Sequence, residues 1–305
     1  MSPSPSPLLF DRARVARNRD RASLGFDEYA FLKVKESTQL LDRLKDSPRT
    51  FQSALDLWAH TGQASQVLKT SGLVDNITAL EPSDNMRETL GSKNIPAMAW
   101  HDDLLPFDPD QFDLAVSVLG LHWANDLPGI LQEIRRVLRP DGLFLACLFG
   151  GGTLNELRSA LIEAETEITG GISPRLSPLP GLQDMAGLLQ RTGFALPVAD
   201  IEHVTVRYSH PMKLLQDLKG MGEQAAFLKR DGQARRPLSR RILARMSDIY
   251  AERFSDPDGK VLASFEIVWL SGWAPAANQP KPLRPGSGKF SLAEAVKKAG
   301  PSPDK

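Results

Sequence analysis

The sequence predicts an α/β protein built on a mostly parallel sheet with helices on both faces, and three observations carry that expectation. Five short, β-rich, apolar runs follow one another with helical periods between them: "ALDL" (54–57), "NITALE" (76–81), "AMAW" (97–100), "FDLAVSVLG" (112–120) and "GLFLACLF" (142–149). Near-continuous apolarity is what a strand covered on both faces requires, because neither side alternates toward water. Two later runs, "EHVTVRY" (202–208) and "ASFEIVWLSGW" (263–273), bring the sheet to seven strands after intervening helical material.

Residues 1–9 begin in Ser/Pro repetition and are expected to be disordered, ahead of an N-terminal helical region over 10–50. Its arginine-rich opening, "FDRARVARNRDRA", reads either as an organelle transit peptide or as a basic helix over the active site. Asp11 and Asp20 count against the first reading, since transit peptides avoid acids. The first strand then enters a tight loop in "ALDLWAHTG" (54–62). Gly62 retains the turn into the following helix, yet Trp58 and His60 stand where a nucleotide-binding loop places glycines. Glycine there serves positive φ and close approach, and tryptophan supplies neither, so the loop is expected to leave the usual path. The indole then either turns away beneath the arginine helix or lies across the space a ligand needs.

The helix before the fifth strand presents Leu127, Ile130, Leu131, Ile134 and Leu138 on one face, with Asp126 as N-cap and Pro140-Asp141-Gly142 as its stop. "TLNELRSALIEAETEITGG" opens on a Thr153/Glu156 capping box and belongs to an insertion over 150–200. A helical segment follows over 210–260. The stretch 274–305 is rich in Pro, Gly, Ser and Lys and reads as a flexible tail.

Composition narrows the function classes. Of 305 residues, 41% are apolar, and 37 Lys and Arg balance 37 Asp and Glu, so no general electrostatic pull toward nucleic acid or a membrane surface arises. No run approaches the roughly eighteen apolar residues of a membrane span. The single cysteine, Cys147, excludes an internal disulfide framework and fits a reducing compartment. The histidines at 60, 101, 122, 203 and 210 lack metal-ligand spacing, and neither Ser117 nor Ser159 lies in a nucleophile elbow, so no metal and no serine hydrolase is expected.

"ALDL" with its loop, "ITALEPSDNM", "WHDDLLPF" and "LRPDGLFLACLFGG" together resemble the motifs of the class I S-adenosylmethionine-dependent methyltransferases, whose fold is Rossmann-like. Three longer phrases, "FDLAVSVLGLHWANDLPGIL", "FGGGTLNELRSALIEAETEITGGISPRLSPL" and "LLQDLKGMGE", are similar to the methyltransferase-like family of mitochondrial complex I assembly factor 5 and its bacterial relatives. That resemblance runs from Phe10 to about Trp273, with a methyltransferase-like domain over 51–273. It implies S-adenosylmethionine as cofactor and a protein substrate such as an arginine of a respiratory complex I subunit, the eukaryotic branch being linked to arginine hydroxylation. Two alternatives stay open: a noncatalytic assembly factor with a degenerate cofactor site, and a methyltransferase acting on a small-molecule or acyl-carrier carboxylate. The location is cytoplasmic for a bacterial protein and the mitochondrial matrix for a eukaryotic one.

The site residues follow from position. Glu81 ends strand two, where a carboxylate at an exposed strand edge accepts ribose hydroxyls. Asp56 either fixes the first loop through backbone amides or is a simple strand-end carboxylate, Met86 packs either near the adenine or in the core, and either Asp102 or Asp103 meets the adenine amino group, as the resemblance implies. Trp58, Gly62 and Leu119 complete the cofactor set. Beyond strand four, "GLHWAND" brings His122, Trp123 and Asn125 to the ligand-binding end of the sheet. His122 serves there as general base or substrate orienter, and Trp123 as a platform for a flat or cationic group or as an anchor of the loop.

Overall fold

The computed structural model describes residues 8–47, 49–100, 104–228 and 238–279. The chain enters through helices α1 (Arg12–Ala22), α2 (Phe26–Tyr29) and α3 (Phe31–Lys45). The Asp11 carboxylate accepts from the Arg14 N–H at 3.0 Å and so caps α1, satisfying one of the amides that a helix start leaves free. Strand β1 (Phe51–Leu57), helix α4 (Gln63–Ser71), strand β2 (Val74–Leu80), helix α5 (Asp84–Ser92), strand β3 (Ala97–Met98) and strand β4 (Phe112–Val118) follow. Helix α6 (Leu127–Val137) leads into strand β5 (Leu138–Phe149), and α7 (Asn155–Thr169) and α8 (Leu182–Arg191) precede strand β6 (Ala195–Tyr208). Helices α9 (Pro211–Gly220) and α10 (Arg240–Arg253) come before strand β7 (Val261–Trp273).

The sheet runs β3-β2-β1-β4-β5-β7-β6, with β7 antiparallel to both its neighbours and the rest parallel, which is the seven-stranded Rossmann-like architecture expected. Chain order reverses between β1 and β4, so their carboxyl ends diverge and open a crevice there. The apolar strands bury both faces. Ala54, Leu114, Val116 and Val118 face a core shared with α3, α4, α7, α9 and α10, while Leu55, Leu57, Phe112 and Ala115 face one shared with α6 and α8. Each fully buried Leu or Val contributes roughly 1.5–3 kcal/mol, which makes this two-sided burial the main support of the fold. Among the described residues no helix is long and apolar enough to cross a membrane.

Local expectations fare unevenly. Asp126 caps α6 through the Gly129 N–H at 3.0 Å, as its position predicts. Leu138, however, already belongs to β5, and Pro140-Asp141-Gly142 lies inside that strand, where the pairing with β4 shifts register and Asp141 takes φ +65°. The Thr153/Glu156 capping box does not form. Thr153 pairs with the Glu266 backbone and Glu156 with Ser264, because β7 offers them partners that the helix start does not. The expected insertion over 150–200 packs α7 and α8 into the two main cores and includes the start of β6. The arginine-rich stretch is α1, with Arg19 wholly buried, so it is an integral part of the fold.

Candidate functional site

The loop after β1 corrects the expectation about its path. Trp58 and His60 both adopt left-handed backbone, with φ +53° and +54°, and Gly62 follows at φ +89°. Tryptophan and histidine therefore hold the conformation normally reserved for glycine, at a cost of roughly 1–2 kcal/mol each. Leu119, across the crevice at the end of β4, is left-handed too, at φ +49°. Strained backbone of this kind persists only where surrounding contacts impose it.

Those contacts are visible. The Trp58 indole turns toward the strand β3 side and meets Trp100 edge-on, with centroids 4.5 Å apart, in the core that also holds Leu57, Leu80, Leu105 and Leu121. It lies neither beneath the arginine helix nor across the first loop. Gly120 makes room: a Cβ there would stand 2.3 Å from Trp58 Cβ. Sequence reasoning missed this pairing, whose signal was the glycine between two apolar runs in "VLGLHW".

The polar centre of the crevice is Glu81, buried completely rather than lying on an exposed edge. Its Oε2 accepts from Arg19 Nη1 at 2.8 Å and from the His60 N–H at 2.9 Å, and its Oε1 accepts from the Ser83 N–H at 3.1 Å. Lys33, also buried, reaches in from α3 and donates to the Trp58 carbonyl at 2.9 Å, the Val118 carbonyl at 2.7 Å and His60 Nδ1. Burial pulls the Lys33 ammonium down to about 8, opposed by the charges of Asp56 and Glu81. Burial, with Arg19 and Lys33 nearby, also holds the His60 imidazole well below its ordinary range and therefore neutral. Asp56 accepts from Ser65 Oγ at 2.6 Å in the first turn of α4, and burial pushes its carboxyl up to about 6. It anchors the helix after the loop rather than the loop itself.

Met86 packs on Ala22, Phe26 and Ala30 of the N-terminal helices, as the core reading of this residue has it. Asp102 and Asp103 lie outside the described residues. A small cavity of about 20 Å3 remains beside Lys33, His60 and Leu119.

Beyond β4, Glu223 organises a second cavity of about 50 Å3, bounded also by His122, Trp123, Phe149 and Arg158 and open to solvent. His122 Nε2 and Trp123 Nε1 both lie 3.0 Å from the same oxygen, Glu223 Oε2, and Oε1 has no partner among the described residues. His122 Nδ1 is buried without a partner, so an imidazole that donates Nε2–H to Glu223 keeps its free lone pair on Nδ1, facing the interior. Trp123 also packs edge-on against Phe10 at 5.0 Å, which makes it an anchor of the loop as well as a wall of the cavity. Asn125 departs from its expected role. Its Oδ1 accepts from the Leu9 and Phe10 N–H groups and its Nδ2 donates to the Phe10 carbonyl, so the whole amide is spent on holding the chain entry. Glu223 itself was missed as a site residue, although it closes the quoted phrase "LLQDLKGMGE". The two cavities share Phe149 and Glu223. Among the described residues no group of three or more His, Cys, Asp or Glu could hold a metal.

Residues 55–146 match a methyltransferase-domain family model. The arginine-hydroxylase NDUFAF5, mitochondrial, of Danio rerio is 35% identical over 293 residues, covering 95% of this chain and 90% of that protein. The chain belongs to the NDUFAF5 family. Within the same range of similarity, the malonyl-[acyl-carrier protein] O-methyltransferase of Halorhodospira halophila is 32% identical over 268 residues, covering 86% of this chain and 88% of the relative. The crystal structure of the YcgJ protein from Bacillus subtilis superposes with a TM-score of 0.54 at 14% identity, covering 78% of this chain and 98% of that one. The fold is thus that of the class I methyltransferases, and the relatives of this chain include both a named hydroxylase and a named methyltransferase.

Proposed function

We propose that the chain is an S-adenosylmethionine-dependent enzyme that modifies a basic side chain of a protein, an arginine of a respiratory complex I subunit being the substrate its relatives suggest. One observation carries this reading: the small cavity beside Lys33 and His60, next to the Glu81 carboxylate that accepts from the His60 N–H, adjoins the Glu223 cavity, the two sharing Phe149 and Glu223. The crevice chemistry fits an S-adenosyl group. A buried carboxylate suits the ribose diol, and two inward-facing carbonyls, of Trp58 and Val118, suit the α-ammonium. When bound, the cofactor supplies an electrophilic methyl group.

The remaining steps belong to the chain. Glu223 Oε1 accepts from a cationic side chain through one charge-assisted hydrogen bond while Oε2 is pinned by His122 and Trp123. His122 is a positioning residue for that carboxylate. Catalysis then comes mainly from holding donor and acceptor in line, and the proton that a guanidinium nitrogen releases as it gains the methyl group passes to Glu223 Oε1. The test is mass spectrometry of the subunit after incubation with S-adenosylmethionine. A methyl increment on arginine supports the reading, and an oxygen increment would move the activity to hydroxylation. Absence of any S-adenosyl binding would remove its basis.

Two observations favour other readings. Arg158 borders the same cavity and suits a carboxylate, as in the acyl-carrier relatives. The Arg19–Glu81 pair at the crevice suits a noncatalytic assembly factor. Substituting Glu223→Gln against Arg158→Gln separates the substrate classes, because only the first should abolish binding of an arginine peptide.

A further inference from the structure

Both polar anchors of the crevice are already satisfied by cations of this chain. Arg19 of α1 sits on Glu81 with side chains 2% and 0% exposed, and Lys33 of α3 fills the cage formed by the Trp58 and Val118 carbonyls. An S-adenosyl ligand needs the same acceptors, for its ribose hydroxyls and for its α-ammonium. Arg19 and the His60 N–H both donate to Glu81 Oε2, Ser83 donates to Oε1, and the Lys33 ammonium stands between the two carbonyls, the place a ligand's α-ammonium would take. Ligand and helices therefore compete for the same acceptors in this arrangement.

We propose that α1 and α3 carry an internal mimic of the S-adenosyl ligand, so that nucleotide and N-terminal helices compete for one site. This rests on the cofactor reading above. Two features distinguish the arrangement from an ordinary structural ion pair. Arg19 Nη2 is buried with no partner, so the guanidinium fits its carboxylate only through one nitrogen. The empty space beside Lys33 and His60 shows that the helices fill the crevice incompletely.

The body of α3 is anchored in the main core through Leu40 and Leu44, while the joint between α1 and α3 is held by polar contacts that can exchange. Asp27 accepts from Thr61 Oγ1 at 2.7 Å and Gln63 Nε2 at 2.8 Å, and Asp20 accepts from Ser83 Oγ at 2.5 Å. The buried apolar cluster around Met86 holds Ala22, Phe26 and Ala30. Leu24, in the short joint between α1 and α2, is 96% exposed, so that joint is not locked into the core. Displacement of α1 frees Glu81, and displacement of the α3 start frees the two carbonyls.

The test is calorimetric titration of S-adenosylmethionine into full-length wild type, Arg19→Ala, Lys33→Met and Asp27→Asn, each first shown to be folded by circular dichroism. Removing an internal cation vacates an anchor, so Lys33→Met and Arg19→Ala should bind at least tenfold more tightly than wild type. Their unliganded melting temperatures should be lower and recover on saturation. Asp27→Asn touches neither anchor and only loosens the helices, so it should tighten binding by a smaller factor without the risk of misfolding. Wild type binding as tightly as these variants, or more tightly, overturns the competition while leaving the cofactor reading intact. No binding by any of the four proteins overturns the cofactor reading and the competition with it.

Discussion

Two neighbouring regions at the same edge of the sheet are built in opposite ways. The crevice at the ends of β1 and β2 is filled with buried charge: Glu81 pairs with Arg19, Lys33 donates to the Trp58 and Val118 carbonyls, and Asp56 accepts from Ser65. The cavity beyond β4 keeps open volume, and its acid, Glu223, retains an oxygen without a partner among the described residues. Burial of charge needs compensation by charge, whereas a partly open pocket can leave a group for a ligand to satisfy. The contrast separates residues that hold the fold from residues that await a substrate, even though both sets sit where α/β proteins bind ligands.

The largest expected effect breaks the filled side. Glu81→Ala leaves the Arg19 guanidinium uncompensated in the interior and should cost about 3–5 kcal/mol in chemical denaturation, reversing the small effect expected for a carboxylate on an exposed edge. A loss below about 1 kcal/mol would show that water reaches this pair.

The next effect concerns Lys33 and has a defined sign. Its folded value of about 8 lies below the ordinary 10.5, so the folded protein releases this proton more readily than the unfolded chain does. The resulting penalty is complete below pH 8 and is relieved as pH rises toward 10.5. Wild-type stability should therefore rise relative to Lys33→Met across that window, by on the order of 3 kcal/mol. Asp56 and His60, two nearby groups with shifted values, titrate below it. Parallel pH profiles of the two proteins would place water on the Lys33 ammonium.

Trp58→Gly should cost about 2 kcal/mol by denaturation: the indole loses its packing on Trp100, partly offset by relief of left-handed strain. Nucleotide affinity should stay unchanged, because Lys33 still holds the carbonyl of residue 58. A gain in affinity would show that the indole itself obstructs the pocket. Smaller still, Asn125→Ala should cost about 1–2 kcal/mol and speed amide exchange at Leu9 and Phe10, whose N–H groups its oxygen accepts. The arginine-peptide affinity should not move.

The sheet was legible because each strand is apolar on both faces, a pattern that local sequence carries by itself. Asp126 was legible for the same reason, since its partner lies three residues away. The occupants of the site were not. Arg19 meets Glu81 across 62 residues, and Lys33 meets Val118 across 85, so nothing in their own neighbourhoods signals those partners. Thr153 and Glu156 misled in the converse way: they matched a local motif, and β7 supplied competing partners from more than a hundred residues away. The conformation of Trp58 was hidden because left-handed tryptophan is disfavoured alone and is tolerated only where Gly120 and Trp100 make the space for it.

The central claim is that the filled crevice is a ligand site held by the protein's own cations. Hydrogen exchange of the wild-type protein with and without saturating S-adenosylhomocysteine tests it most directly, read at the amides of α1 and the first turn of α3. Competition predicts faster exchange in both segments when the nucleotide is bound, as Arg19 and Lys33 are released. Slower exchange there would contradict the account, because it would make the two helices part of the liganded site instead of its rival.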